Sequence, residues 1–496
     1  MARGSDLQPR LTTWPGSDSV WRRSWQASFC FARRLDLWYN SHVKENTLET
    51  LTIIGGGLAG TEAAWQAAQH GIDVLLYEMR PATQTPAHVS QHLAELVCSN
   101  SLGSDREDRA PGLLKAEMRR MGSLILACAA ETAVPAGSAL AVGREAFAAL
   151  VTRRIEEHPS IHLQRQEVPA IPERGVVVVA SGPLTSESLA ADMIRISGEE
   201  HLYFYDAMAP IVTYESIDLS KAFRASRYAH GEADYINCPM DREQYYAFVD
   251  ALANAETIPL RDFESKDKSF FEACLPVEVL ARRGSDALAY GPLRPVGLTD
   301  PRTGKRPFAV VQLRQDNLAA TLYNMVGFQT NLKWSEQTRI FHSIPGLEEA
   351  EFIRFGQMHR NTFINSPRLL TPALEFRTRQ GLFFAGQITG TEGYVGSAAS
   401  GLVAGINAAR RIQGQEPISF PRTTMLGALC HYVSAADSDS FQPMKANFGL
   451  IPRLDPPVRN KRARYQAYAR RALADIERFI EGHLAPPPAK TRTGGP

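Results

Sequence analysis

The sequence predicts an α/β protein: a two-part, Rossmann-like dinucleotide-binding domain, split by an inserted α+β domain and followed by a helical C-terminal segment. Three observations predict it. Leu51 to Glu78 reads as strand, glycine turn, helix, strand and acid. Val176 to Pro183 reads as a buried strand that ends in small residues. Gly381 to Arg411 reads as a third strand that passes through glycines into a small-residue helix.

Leu51-Thr52-Ile53-Ile54 lacks the alternation of a half-solvated strand and suits a buried parallel one. It runs into Gly55-x-Gly57-x-x-Gly60, with Gly56, Leu58 and Ala59 between. Gly55 permits the tight turn, Gly57 lets backbone approach a pyrophosphate, and Gly60 lets helix pack on strand. The helix start then offers free N–H groups to phosphate. Glu78 falls where an acid accepts hydrogen bonds from a ribose. Far downstream, Leu382 to Ala385 ends at Gly386 and Gln387, and a helix is expected from Ser397 to Arg411. This unit resembles the second FAD-contacting segment of two-part flavoproteins, and Val176 to Pro183 resembles the strand they place under the first motif. Three pieces in this order favour FAD over NAD. No second GxGxxG follows a strand, so an NAD(P)H reductant is expected to dock directly against the flavin.

The expected boundaries follow from composition. Residues 1–49 carry four tryptophans and little periodicity and read as a disordered extension; Asp6, Asp18 and Asp36 argue against a transit peptide. Residues 50–198 form the first part of the FAD domain. Residues 199–325 are rich in aromatics and charge and read as the inserted domain, with a helix over Phe270 to Arg283. Residues 326–413 return to the FAD domain, 414–484 are mostly helical, with a surface helix over Tyr465 to His483, and 485–496 form a Pro-rich tail. A net charge of +1 excludes a uniformly basic nucleic-acid binder but not a local patch. No apolar run reaches the roughly 18 residues of a membrane-spanning helix. Six cysteines without CxxC spacing read as reduced thiols of a cytoplasmic protein, with no metal centre.

Cys98, in Cys98-Ser-Asn-Ser-Leu102, and Cys238, in Tyr235-Ile-Asn-Cys-Pro-Met240, carry the chemical interest. Around them the chain resembles the folate- and FAD-dependent tRNA (uracil-5-)-methyltransferases. The matching segments include IIGGGLAGTEAAWQAAQHG, CSNSL, GLLKAEMRRMGSLI, SGPLTSESLA, YINCPM, NMVGFQTNLKW, FGQMHRNTF and GLFFAGQITGTEGYVGSAASGLVAGINAA, in one order over roughly residues 50 to 480. The resemblance implies transfer of a one-carbon unit from 5,10-methylenetetrahydrofolate to C5 of the uridine at position 54 of the tRNA T-loop. Reduced FAD completes the methyl group and NAD(P)H reloads the flavin. The implied partners are tRNA and folate, with no membrane and no obligate protein partner. Uracil C5 is a poor nucleophile; a thiolate at C6 makes it an enolate, and a second thiol or base removes the C5 proton. The family pattern assigns those tasks to Cys98 and Cys238 without saying which attacks C6.

His359-Arg360-Asn361, before Phe363, suits contact with a splayed base or with folate. The basic run Arg459-Asn-Lys461-Arg462-Ala-Arg464 could meet phosphates or be a solvated face. Two positions depart from the family: Gly143 and Gly396 stand where an acid is usual. The rival readings are a wobble-uridine tRNA-modifying flavoprotein, whose Cys-Asn-Pro signature this chain lacks, and a tRNA-binding flavoprotein without activity.

Overall fold

The computed structural model describes residues 50–85, 87–198, 202–229, 233–258 and 275–484. The expectations for residues 1–49, 485–496 and 270–274 fall outside them. The first stretch runs β1 (Thr50–Ile54), α1 (Leu58–Gln69), β2 (Asp73–Tyr77), β3 (Ser101–Ser104), α2 (Ala110–Arg120), α3 (Leu124–Glu131), β4 (Ala133–Val134), β5 (Ala139–Val142), α4 (Arg144–Glu156), β6 (Ile161–Gln164), β7 (Val176–Val179) and α5 (Glu187–Ser197). The middle holds β8 (Leu202–Ala207), β9 (Ile211–Thr213), β10 (Phe223–Arg224), β11 (Tyr235–Met240), α6 (Arg242–Ala253), α7 (Val277–Arg283), α8 (Ala287–Tyr290), β12 (Ala309–Gln315), β13 (Leu322–Met325), α9 (Trp334–Phe341) and β14 (Phe352–Arg354). The last stretch holds β15 (Met358–Phe363), α10 (Ser366–Leu369), β16 (Leu382–Phe384), α11 (Tyr394–Ile412), α12 (Met425–Ala435) and α13 (Lys461–His483).

Strands β16, β7, β1, β2 and β6 lie in that order in one sheet, every pair parallel. The three predicted segments are thus neighbours, with β7 between β1 and β16. Parallel strands buried on both faces need apolar runs, which TLTII, VVVV and LFF supply. Helices α1 and α11 cross at very short range: a Cβ on Gly401 would lie 2.2 Å from the Ala59 carbonyl oxygen. That approach explains the small residues of α11. The helix starts at Tyr394, three residues before the expected Ser397.

A second, antiparallel sheet has the order β10-β11-β12-β13-β9-β14. Its strands come from residues 211–354. The expected return to the flavin domain at residue 326 therefore lies inside this sheet's segment, because β14 still has to close its far edge on β9. Helix α6 is fixed by a capping box: the Asp241 carboxylate accepts from Gln244 N at 2.8 Å, and the Gln244 carboxamide accepts from Asp241 N at 3.0 Å.

After α11 the chain is less helical than expected. Only α12 and α13 form; residues 436–460 are irregular, since Asp437-Ser-Asp-Ser440 and the prolines at 443, 452, 456 and 457 cannot sustain a helix. Helix α12 is docked by the buried Glu117 of α2, whose two oxygens accept from Met425 N and Leu426 N at 2.8 Å each. Burial pushes this carboxyl from 4.5 up to about 8, against the two N–H donors. The folded chain then keeps a proton that the unfolded chain releases above its ordinary range, so stability present below that range is lost as pH rises through the folded value. The melting temperature is expected to fall as pH rises from about 4.5 to about 8, and Glu117→Gln to flatten that fall. Parallel melting curves for variant and parent across this range would refute the assignment.

Candidate functional site

A cleft opens at the carboxyl ends of β1, β2 and β7, where open α/β sheets bind ligands. Its floor is the predicted turn. Gly55 sits at φ 109°, with its N–H given to Tyr77 O at 2.8 Å. A Cβ on Gly60 would fall 1.8 Å from the Gly55 carbonyl oxygen, whereas one on Gly57 would meet no protein atom within 4 Å. Gly57 is the N-cap of α1, and no side chain caps that helix. The first N–H groups of α1, those of Leu58 and Ala59, are therefore left without a side-chain cap where these residues line the cleft. These residues fit a dinucleotide pyrophosphate.

Glu78 closes one end. Its carboxylate accepts from Gly56 N at 3.0 Å, Arg80 N at 3.0 Å and Arg80 Nε at 2.9 Å. Burial alone would raise this acid, but the Arg80 bonds and charge outweigh it and hold the carboxyl below its usual range. Arg80 also meets Glu95 at 3.1 Å. Burial, with Arg80 nearby, drives His88 down to about 4, so the imidazole facing this end is neutral. At the other end lie Gly386, at φ 86°, and Gln387, whose amide donates to Glu392 at 2.8 Å.

Cys98 lies in the loop after Val97, which lines the cleft, half-buried against Tyr394 at the start of α11. The backbone N–H groups of Cys98 and Ser99 donate to the Tyr394 hydroxyl oxygen at 2.8 and 3.1 Å, and the same oxygen lies 3.1 Å from Cys98 Sγ. Two donors occupy its lone pairs, so its own O–H is left to give to the sulfur. Desolvation, then the neighbouring Cys98, push the tyrosine well above 10, so that proton is retained.

Three guanidinium groups hold this loop. Arg144 donates to the carbonyls of Leu96 and Val97 at 2.8 and 3.1 Å and pairs with Asp316 at 2.9 Å. Arg354 donates to Val97 O at 2.6 Å. Arg314 reaches Asn100 and Ser99 at 2.8 Å each. Arg144→Met is expected to leave Asp316 buried without its partner and to cost about 3 kcal/mol of stability. Denaturant unfolding checks this effect; unchanged stability would show that the pair contributes nothing net.

The structure does not bring Cys238 to this loop. Side chains alternate along β11 and β12, and Tyr235 pairs with Arg314 while Cys238 pairs with Val311. Arg314 faces the Cys98 loop, so Cys238 faces away, into the core that α6 and α7 cover. Its thiol is fully buried, and that burial pushes it up to about 12. Cys128 and Cys430 are buried in the other core.

His359, Arg360 and Asn361 lie in β15, paired with Asp206, Tyr205 and Phe204 of β8. Thr362 N donates to Pro183 O at 3.0 Å and Ile364 N to Ile388 O at 2.8 Å, so the end of this strand is tied to both cleft loops; Asn361 is buried. At Gly143, the N-cap of α4, a Cβ would lie 2.9 Å from the Leu318 side chain, so the family's acid requires that leucine to shift. At Gly396, the third residue of α11, a Cβ would make ordinary contact with Leu429 at 3.6 Å. Sequence reasoning missed Tyr394, Arg144, Arg314 and Asp316. Tyr394 stood inside a flavin segment already singled out; Arg314 carries no local signal.

Known proteins resemble this chain in sequence and in fold. The family described as Glucose inhibited division protein A matches residues 50–416. A methylenetetrahydrofolate--tRNA-(uracil-5-)-methyltransferase TrmFO of Pelotomaculum thermopropionicum is 60% identical over 435 residues, 88% of this chain and 99% of that protein. The protein of the same name from Enterococcus faecalis is 58% identical over 85% of this chain and 97% of its own length. Among solved structures, Aquifex aeolicus GidA aligns with a TM-score of 0.60 at 18% identity, covering 87% of this chain and 76% of that one, which speaks for the fold alone. Among the described residues, no helix is long and apolar enough to cross a membrane, and no cluster of His, Cys, Asp or Glu is placed to hold a metal. Near-60% identity along almost the whole length of these relatives, on a fold shared with GidA, establishes that the chain belongs to the TrmFO group of the glucose-inhibited division protein A family.

Proposed function

We propose that the protein methylates C5 of the uridine at position 54 in the tRNA T-loop, with 5,10-methylenetetrahydrofolate as carbon donor, FAD as resident cofactor and NAD(P)H as the reductant that reloads it. The observation that carries this reading is Cys98, a half-buried thiol held by Tyr394 beside a cleft whose glycine turn fits a dinucleotide. The names of the relatives supply the substrate and donor. Reduced FAD, when bound, supplies the hydride that turns a methylene group into methyl.

The chain's own residues do the rest. Gly55, Gly57 and Gly60 shape the phosphate cradle, and Glu78 holds the turn through Gly56 and faces the ribose end. Tyr394 directs its O–H at Cys98 and so favours a sulfur that gives up its proton. Arg144 and Arg314 fix the loop that carries it. The reading keeps both thiols for one uracil, one at C6 and one as base for the C5 proton. Cys238 lies on the face of the second sheet turned away from the Cys98 loop, so it meets that uracil only if α6 and α7 part from the sheet and the sheet turns relative to the loop. The backbone of His359 to Asn361, tied at its end to the cleft loops, is assigned to substrate contact. The enzyme is placed in the cytoplasm, with its tRNA.

The test is to incubate purified protein with unmodified tRNA, methylenetetrahydrofolate and NADPH, then digest and identify the nucleosides. Ribothymidine in the T-loop is the expected product. Aminomethyl-type wobble uridines, or no product, would overturn the reading.

A further inference from the structure

We propose that the first half of α13 is a second docking surface for the tRNA, holding sugar-phosphate backbone outside the target loop. The inference rests on the reading of the protein as a tRNA-modifying enzyme and adds a place to it. From Arg459 to Arg471 the chain carries six cations and no acid. Among the described residues, no carboxylate pairs with Arg459, Lys461, Arg462, Arg464 or Arg470. The second half of the same helix behaves differently: Arg478 pairs with Asp475, and Glu477 meets Arg120 of α2 at 2.7 Å.

The cations stand where helix physics disfavours them. The first turn of α13 holds no acid, yet Lys461, Arg462 and Arg464 crowd the positive end of its dipole. Lys461 and Arg464 are also like charges three residues apart. A nucleic-acid backbone would relieve both conflicts. Asn460 still caps the helix through Ala463 N at 3.0 Å, so the segment is ordered before any partner arrives.

An aromatic ledge underlies the charges. Phe448 stacks on Tyr465 at 4.6 Å and on Tyr468 at 5.6 Å. Lys461 Nζ and Arg464 Cζ each lie 5.8 Å from the Tyr465 ring centre. Cations beside rings suit RNA, with phosphates on the former and a ribose or base on the latter. Arg471 is not part of this surface, since its guanidinium is bonded to the carbonyls of Pro452 and Arg453.

The ledge also sits beside the cleft. Met444 N donates to Gly390 O at 2.8 Å, and Glu392 N to Met444 O at 2.9 Å. Lys445 lies next to Gly393, which precedes Tyr394, the partner of Cys98. These contacts tie the segment that leads to Phe448 to the turn that precedes Tyr394. Arg462 comes near enough to Asp108, already paired with Arg106 at 2.7 Å, to contribute to holding that acid below its usual range. A net charge of only +1 makes the patch local rather than general.

The test uses the full FAD-loaded chain with the triple variant Lys461→Gln, Arg462→Gln, Arg464→Gln. None of these side chains is buried. Binding of an unmodified tRNA transcript is measured across salt concentrations, beside methylation kinetics. Kd and KM are expected to rise about tenfold with kcat within about twofold. The slope of log Kd against log salt should become shallower by about two to three, roughly one for each phosphate the variant no longer neutralises. Lys461→Arg should keep parental affinity, and Arg478→Gln should change neither quantity. An unchanged Kd and salt slope in the triple variant would overturn the proposal, as would weakened binding of an acidic protein in place of tRNA. If the parent protein binds tRNA but yields no ribothymidine, the functional reading fails while the binding data still judge this surface.

Discussion

Gly57→Leu is expected to give a folded, colourless protein. A Cβ at this position meets no protein atom within 4 Å, so the fold has room for the side chain. The room is the cleft itself, at the N-cap of α1, where backbone must approach the pyrophosphate. Leucine there would displace the phosphates and cover the free N–H groups. The affinity for FAD is expected to fall at least about a hundredfold, ~2.8 kcal/mol. The contrast is Gly60→Val, whose Cβ would lie 1.8 Å from the Gly55 carbonyl oxygen. That variant is expected to fail in folding, since β1 and α1 must separate to admit it. Flavin absorbance and thermal melting distinguish the two. A yellow Gly57→Leu protein with parental FAD affinity would remove the cradle from its assigned place.

The same contrast explains what the sequence made legible. A glycine turn is a local demand: its φ angles and close approaches involve residues a few positions apart, so the spacing of Gly55, Gly57 and Gly60 carries them. The buried strands were legible for a similar reason, since VVVV and LFF have no other stable setting. Tyr394 was not, because its hydrogen bond to Cys98 spans 296 residues and no spacing rule reaches that far. The extent of the second sheet was hidden by short edge strands: β14 has three residues and β9 three, too few for a period to show. The orientation of Cys238 was present in the alternation of Ile236, Cys238 and Met240, which share the core face. The family resemblance grouped it with Cys98 by chemistry, and the pleat separates them.

That separation sharpens the experiment on the thiols. Cys98→Ala and Cys238→Ala are each expected to lower ribothymidine formation by at least about a hundredfold, the scale of a lost acid–base or nucleophilic group. Cys128→Ala is expected to retain most activity, because that thiol lies in the core of α3 with its ionisation pushed up to about 12. Cys238→Ala removes one sulfur from a packed core, costing ~1–2 kcal/mol, so the variant should fold and keep its FAD. With 5-fluorouridine in the tRNA, the C5 substituent cannot leave as a proton, and the adduct formed by thiol addition at C6 is trapped. The variant that forms no adduct lacks the C6 nucleophile, and the other has lost the base. If the adduct vanishes in Cys98→Ala, attack occurs in the geometry already present beside Tyr394. If it vanishes in Cys238→Ala, α6 and α7 must part from the sheet, the sheet must turn relative to the Cys98 loop, and amide exchange in β11 must rise when tRNA binds. Near-normal methylation by both alanine variants would sink the thiol mechanism and leave the flavin cleft without its reactive loop.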